Sequence, residues 1–159
     1  MSDTKVVAKS PMQLLKRDHK IVKELFAEYA KLGDGDVEEK GRLWQEINEE
    51  LTIHAEIEER LFYPAVREAN SDESEDLVNE AIEEHRVVKT LLEEMSELEP
   101  GDDSFDAKMK VLRENVEHHA EEEEKEMFSQ AKKLSKDVLD TLVIEMETMK
   151  NDLEDKDIE

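Results

Sequence analysis

Two copies of one short pattern constrain this chain more than any other feature of its sequence. His54 is followed four residues later by Glu58, and His119 is followed by Glu123 in a closely similar stretch. Side chains four residues apart on an α-helix lie on one face, with Cβ atoms about 5–6 Å apart. In each copy, one imidazole and one carboxylate can therefore reach the same point in space.

A second repeat lies upstream of each copy. Residues 18–25, which begin Asp18-His19, resemble residues 84–91, which begin Glu84-His85. Two half-chains of the same form predict two helical hairpins that face each other across an approximate two-fold axis. We interpret the point where they meet as a two-metal site, with these predicted ligands: His19, His54, Glu58, His85, His119 and Glu123.

Apolar residues recur at helical spacing along most of the chain, and helix-start signals separate the periodic segments. The starts are Ser10-Pro11, Asp36 or the residue after Gly41, Ser71, Ser104 and Ser135. Short connections between four long helices predict an all-α, up-down-up-down four-helix bundle with an additional C-terminal helix. The predicted units are a flexible tail (1–9), the bundle (10–134) and a C-terminal amphipathic helix and tail (135–159).

A simpler explanation of the histidines has to be weighed against the metal site. A single histidine in a helix stripe is most often a core residue hydrogen-bonded to a neighbour. Four at matched positions are harder to explain in this way. Glu58 and Glu123 add weight, because an ionised carboxylate in a dry core costs several kcal/mol unless a cation neutralises it.

Some neighbouring residues are not assigned a role at the site. His118 also has a glutamate four residues on, but the apolar stripe through Val116 and Met127 includes 119 and 123 and leaves 118 aside. The other acids are predicted to lie on solvated faces: Glu56, Glu59, Glu121, Glu122 and Glu124. Tyr63 and Phe128 are predicted to be packing residues. Pro64 is predicted to bend or break its helix.

The chemistry of the predicted ligands limits the choice of metal. A mixed set of imidazole nitrogen and carboxylate oxygen favours iron or manganese, with zinc still open. Helix direction places both glutamates on one side of the histidine layer and apolar residues on the other. The open face is predicted to be a small pocket that admits dioxygen, nitric oxide or peroxide and excludes larger substrates, lined by Val22, Leu51, Val88 and Val116.

Charge and composition exclude several classes of partner. The formal net charge of −23 disfavours nucleic acid and anionic membranes. The absence of cysteine excludes disulfides, iron–sulfur clusters and thiolate zinc sites. No segment has the apolar length of a signal peptide or a membrane span, so a cytoplasmic protein is expected.

The quoted histidine and glutamate pattern resembles the hemerythrin-like, or HHE cation-binding, domain over roughly residues 11 to 133. The resemblance implies two iron ions bridged by oxo or hydroxo and by the two glutamates, and binding of dioxygen or another small ligand. Oxygen-carrying hemerythrins have a further histidine where this chain has Lys89, and an aspartate as last carboxylate. The fifth position is then open, or is filled by water or another glutamate.

Three classes of function remain at this point. The first is a di-iron protein that binds dioxygen, another diatomic molecule or peroxide, for oxygen or redox sensing or handling. The second is an iron-storage protein or ferroxidase, or a peroxidase-like enzyme. The third is a metal-free helical interaction module, and a homodimer through the C-terminal helix is compatible with all three.

Overall fold

The computed structural model describes residues 7–69 and 71–158, with the side chains of 157 and 158 left aside. Its helices are α1 (Pro11–Ala30), α2 (Val37–Ile57), α3 (Tyr63–Arg67), α4 (Asp72–Ser96), α5 (Asp103–Glu122), α6 (Phe128–Ala131) and α7 (Lys136–Ile158). Two π-helical segments, π1 (Glu58–Phe62) and π2 (Glu123–Met127), join α2 to α3 and α5 to α6. The predicted all-α bundle with an extra C-terminal helix is confirmed.

The helix starts follow from local capping chemistry. The Ser10 hydroxyl accepts a hydrogen bond from the Gln13 amide at 3.1 Å, and Pro11 is the first helical residue of α1. Ser71 accepts from the Ser74 amide at 3.0 Å and starts α4 in the same way. Asp36 is the N-cap of α2, which removes the alternative start after Gly41. The two serines satisfy backbone donors that the first turn leaves unpaired, whereas the Asp36 carboxylate accepts from the Gly33 amide at 2.8 Å in the turn before α2.

The two π segments begin at Glu58 and Glu123, the two glutamates of the repeated pattern. Pro64 follows π1 in the first turn of α3, so its helix is distorted rather than ended. The matching position after π2 is Ser129, which shows that the proline is not the common cause. Single π turns inside α-helices occur frequently at functional sites. Their symmetric placement points to the glutamates as the reason for the distortion.

Each π turn shifts which residues face the core. When the apolar positions of α2 are continued past Glu58 at helical spacing, they place Leu61 and Ala65 in the core. Both are only partly buried, whereas Phe62, Tyr63 and Val66 are fully buried. An i→i+5 turn adds one residue to the local repeat, so the buried face moves by one position. The same shift buries Phe128 after π2.

A polar layer divides the apolar core into two clusters. One cluster, on the side of the glutamates, contains Phe62, Phe128 and residues of α7. The other, at the opposite end of the bundle, contains Phe26, Trp44 and Phe105. An apolar core of this length would ordinarily be continuous. The polar layer interrupts its packing, which marks the layer as a candidate functional site.

Helix α7 packs against α1 and α2 of its own chain. Leu142, Val143 and Met146 are buried in the cluster on the glutamate side, and Met146 is completely inaccessible. Helix α7 therefore covers the glutamate-side end of the bundle in its own chain. A homodimer through α7 stays a prediction.

Replacing Met146 with alanine is expected to destabilise the protein by about 2–4 kcal/mol, because the truncation leaves a cavity in the core. Ile144 is a matched control, since it lies two residues away on the same helix and is 64% exposed. Ile144→Ala is expected to change stability by less than about 0.5 kcal/mol. Urea denaturation measures both, and equal effects would show that α7 does not pack as described.

The tail predicted for residues 1–9 falls largely outside the described residues, which begin at 7. Ala8 is 3% exposed and belongs to the cluster on the glutamate side. Among the described residues, no helix has the length and apolar character needed to cross a bilayer.

Candidate metal centre

The structure brings all six predicted ligands to one point in the polar layer. His19, His54, Glu58 and Glu123 offer ligand atoms that lie within 4.8 Å of one another, and Glu58, His85 and His119 form a second such group. Glu58 is the residue shared by both groups. Their role as ligands stays a prediction, but the geometry is that of two adjacent cation sites.

Four buried side-chain atoms indicate whether the predicted ligands suit a metal ion. His19 Nε2, His54 Nε2, Glu58 Oε2 and Glu123 Oε1 are buried and form no hydrogen bond of good geometry. They face one another in pairs, with His19 3.1 Å from Glu123 and His54 3.3 Å from Glu58. Buried polar atoms ordinarily form good hydrogen bonds, so four such atoms in one group are free to bind a cation. Two nitrogen and two oxygen donors fit a first-row transition ion. These residues therefore fit the metal ions that the sequence pattern implies.

Without a metal, protons on the histidines balance the buried glutamates. Burial lowers the pKa of His119, but hydrogen bonds to Glu123 and Glu84 outweigh it and raise that pKa to about 10. Burial likewise opposes protonation of His54, yet the charge of Glu58 and the hydrogen bond to Asp18 raise its pKa well above the ordinary value. The site is thus built for positive charge, which either protons or cations can supply.

Each of the four histidines is held by a carboxylate from the neighbouring helix. The Nδ1 atoms of His54 and His119 lie 2.9 Å from Asp18 and 2.5 Å from Glu84. Those of His85 and His19 lie 2.6 Å from Glu59 and 2.7 Å from Glu124. The pairs form a closed ring around the bundle and aim every Nε2 atom inward. Such partners orient a ligating imidazole and raise its basicity.

This ring gives a role to two acids that were assigned to solvated faces. Glu59 is only partly exposed and lies 2.6 Å from His85, whereas Glu124 is exposed as predicted but lies 2.7 Å from His19. The charge and hydrogen bonds of His85 and Lys89 lower the pKa of Glu59 to about 2. The two positions correspond, because each directly follows one of the two glutamates of the repeated pattern, but this spacing does not reveal which histidine each acid contacts.

Asp18 connects the centre to the C-terminal helix. Its carboxylate accepts from His54 and also from Lys150 of α7 at 2.6 Å. Asp18 is 4% exposed, and the two cationic partners hold its pKa below the ordinary value although burial raises it. Helix α7 therefore contributes to the surroundings of one histidine as well as to the core.

Tyr63 lies at the centre of the second group, although it was predicted to be a packing residue. Its hydroxyl is 2.8 Å from Glu123 and 3.1 Å from Glu58, and it lies 3.2 Å from Nε2 of both His85 and His119. In a regular α-helix, a residue five positions after Glu58 points about 140° away from it. The π turn brings Tyr63 back to the same face.

Comparison with known proteins identifies the family of the chain. The family model of the hemerythrin HHE cation binding domain matches residues 10–131, which include all six predicted ligands. The chain belongs to this family. The HHE domain thus occupies the four-helix bundle together with the two π segments.

Two known proteins are similar to this HHE domain. A DNA nickase of Nostoc sp. is 30% identical over 116 residues, which are 73% of this chain and 32% of the nickase, so the chain spans about a third of that relative. The crystal structure of a hemerythrin HHE cation binding domain-containing protein from Mycobacterium kansasii is 25% identical, with a TM-score of 0.78. The match covers 91% of this chain and 86% of the other.

The position at which this HHE domain departs from oxygen carriers is occupied by an ion pair. Lys89 Nζ lies 2.9 Å from Glu59, the carboxylate that holds His85. The lysine therefore faces a supporting carboxylate instead of a cation. His118 has a side chain that is 69% exposed and is paired with Glu122 at 3.0 Å, so the choice of His119 over His118 agrees with burial.

A cavity of about 840 Å³ opens over the histidine layer of the HHE domain. The four histidines reach its floor, and Val22, Leu51, Val88 and Val116 are among its walls, as the sequence pattern predicts. Its volume is much larger than the predicted small pocket. The reason is that the space is partly open to solvent and extends to exposed residues on its rim, such as Lys16, Lys20 and Glu121.

Proposed function

We propose that this protein binds two iron ions at the six clustered histidines and glutamates and binds dioxygen, nitric oxide or peroxide for oxygen or redox sensing or handling. The group with four buried atoms that form no hydrogen bond of good geometry supports the first part of the proposal. The mixed nitrogen and oxygen donors favour iron or manganese, and the resemblance to hemerythrins favours iron of the two. When bound, iron supplies the redox chemistry and the affinity for such small ligands.

Glu58 is the observation that carries a two-ion proposal. It is completely buried and belongs to both ligand groups, so its two oxygens are placed to serve two cations. A second buried carboxylate, Glu123, faces both histidine pairs, 3.1 Å from His19 and 3.5 Å from His119. Two cations balance these charges without protonated histidines.

Tyr63 is proposed as an additional oxygen donor to the second group. Its hydroxyl lies among two glutamates and two histidines and is completely buried. The matching residue of the other half is Phe128, which has no donor atom and lies beside His19 with ring centroids 6.4 Å apart. The two cations therefore have unequal surroundings, and a small ligand would be bound more readily on the phenylalanine side.

Metal analysis with optical spectroscopy tests the proposal. We expect about two irons per chain after gentle purification, and visible and near-ultraviolet absorption that changes reversibly when oxygen is removed and returned. Catalytic consumption of Fe²⁺ or peroxide would instead favour the ferroxidase or peroxidase alternative. A stable protein without metal would favour a metal-free interaction module.

The name of the Nostoc relative is not a second candidate function. Cleavage of DNA requires approach to a polyanion, and the net charge of −23 opposes it. Most of that relative lies outside the part that this chain matches.

A further inference from the structure

The carboxylate that holds His54 is less exposed to water than those that hold the other three histidines. The side chain of Asp18 is 5% exposed, whereas those of Glu59, Glu84 and Glu124 are 23% to 37% exposed. Water can hydrate the second oxygen of an exposed carboxylate, but a buried carboxylate depends on donors from the protein. The orientation of Asp18 therefore depends on the groups that donate to it.

Lys150 of α7 supplies the second donor to Asp18. Its Nζ lies 2.6 Å from Asp18 Oδ1, and His54 Nδ1 lies 2.9 Å from Asp18 Oδ2. Each oxygen thus has one partner, so the carboxylate is held between a lysine and an imidazole. A carboxylate held at both oxygens keeps the ring of His54 in one orientation, with Nε2 directed into the centre and 3.3 Å from Glu58.

Helix α7 lies beside the first ligand group, which consists of His19, His54, Glu58 and Glu123. It packs mainly against α1, α2 and π1, and these elements carry three of the four residues of that group. His85 and His119 of the second group lie on α4 and α5. The helix is therefore placed to affect one cation more than the other.

We propose that Lys150 is a positioning residue for the cation of the first group, and that metal binding there and packing of α7 on the bundle stabilise each other. The inference rests on the proposed function in requiring that the centre binds metal. Lys150 fixes Asp18, Asp18 fixes the ring of His54, and the ring offers Nε2 to the cation. A coupling free energy is reciprocal, so metal at His54 also strengthens the attachment of α7. The state of the centre is thereby passed to a helix at the outside of the bundle, as a sensor requires.

Titration of the whole chain with Co²⁺ tests the positioning role, because cobalt binds imidazole and carboxylate ligands. Lys150→Met keeps the aliphatic stem and removes the donor. We expect it to weaken one of two binding steps roughly tenfold and to leave the other within about twofold. The direction of the change is decisive, since removal of a nearby positive charge would by itself strengthen the binding of a cation.

Two further variants separate positioning from a general effect on α7. Lys150→Arg keeps a charged donor and is expected to bring the weakened step back to within about threefold of the unaltered chain. Lys136→Met removes an ion pair of 2.8 Å with Asp140 on the same helix, at an exposed position. It is expected to change both steps less than about twofold. Circular dichroism shows whether each variant keeps its helices.

Hydrogen exchange tests the reciprocal effect on the unaltered chain, without any substitution. Co²⁺ is expected to slow the exchange of amides in α7 at least about threefold, because the bound metal opposes local opening of this helix. Lys150→Met is expected to remove this slowing in α7 but not in α4 and α5. The inference is overturned if exchange in α7 does not respond to the metal, or if Lys150→Met binds Co²⁺ as tightly as the unaltered chain or more tightly.

Iron content is measured on the same preparations, so the two proposals fail separately. Two irons per chain, with Co²⁺ affinity that Lys150→Met leaves unchanged, overturn the positioning inference alone. A weakened Co²⁺ step in a protein whose unaltered chain never holds iron overturns the proposed function alone. A chain that binds neither metal overturns both.

Discussion

Replacing Glu58 with glutamine is expected to reduce bound iron from about two ions per chain to less than one. Glu58 is fully buried and is the residue common to both ligand groups. Glutamine has nearly the same shape but no charge, so the variant loses one of the two oxygens proposed to bind the cations and half of the buried compensating charge. Loss of even a supporting partner of a ligand costs about 10–100-fold in metal affinity, and loss of a shared ligand should cost more.

Glu49→Gln is the matched control for this variant, because Glu49 is an exposed glutamate of the same helix. It is expected to hold iron as the unaltered protein does. Elemental analysis gives the iron content, and circular dichroism shows whether each variant retains its helices. A folded Glu58→Gln protein that retains two irons would remove Glu58 from the ligand set and with it the two-ion proposal.

The metal-free protein is expected to lose stability as the pH rises from about 6.5 to about 10. The pKa of His119 in the folded chain is about 10, raised by hydrogen bonds to Glu123 and Glu84 in spite of burial. Because the folded state holds this proton more tightly than the unfolded state, its contribution is complete below the unfolded pKa and disappears above the folded one. With His54 shifted in the same direction, the total loss is on the order of a few kcal/mol.

Acid has the opposite effect on the carboxylates. Burial raises the pKa of Glu123, but the positively charged imidazoles of His119 and His19, which face its carboxylate, hold that pKa well below its usual range. Its contribution is therefore present above the unfolded pKa and is lost as the pH falls through the lowered value. The metal-free protein should be most stable between about pH 5 and 6.5.

Bound iron should reverse the loss of protein stability at alkaline pH. A ligating histidine must be neutral, so metal affinity rises with pH over the range in which the metal-free protein weakens. Urea denaturation at pH 6, 7.5 and 9, with and without iron, measures both trends. His119→Gln should flatten the slope of the metal-free protein, and His118→Gln, at an exposed position, should leave it unchanged. If the stability of the metal-free protein stays constant or rises between these pH values, the histidines of the centre are not protonated in the way described.

Some parts of the site follow from the sequence because they depend only on local spacing. His54 with Glu58 and His119 with Glu123 share a helix face wherever an α-helix forms, and repetition of the motif indicates that the two faces meet. The choice of His119 over His118 followed from the apolar stripe, which burial supports. Membership in the HHE family rests on the same residues.

Other parts depended on contacts between helices. The partners of the four histidines come from different helices, so no helical spacing along the chain reveals that Glu59 serves His85 or that Glu124 serves His19. Lys150 reaches Asp18 across 132 positions in the chain. The width of the cavity likewise depends on how far apart four helices stand, which side-chain identity alone does not specify.

The sequence by itself predicted the helices, their order and six residues that the structure brings together, because a helical period of 3.6 residues and a repeated motif can be read along the chain. Only the tertiary structure decided the role of Tyr63. Its hydroxyl reaches the centre because π1 changes the helical period at Glu58, and the packed bundle then encloses that hydroxyl with side chains from the other helices. A constant helical period cannot predict such a change.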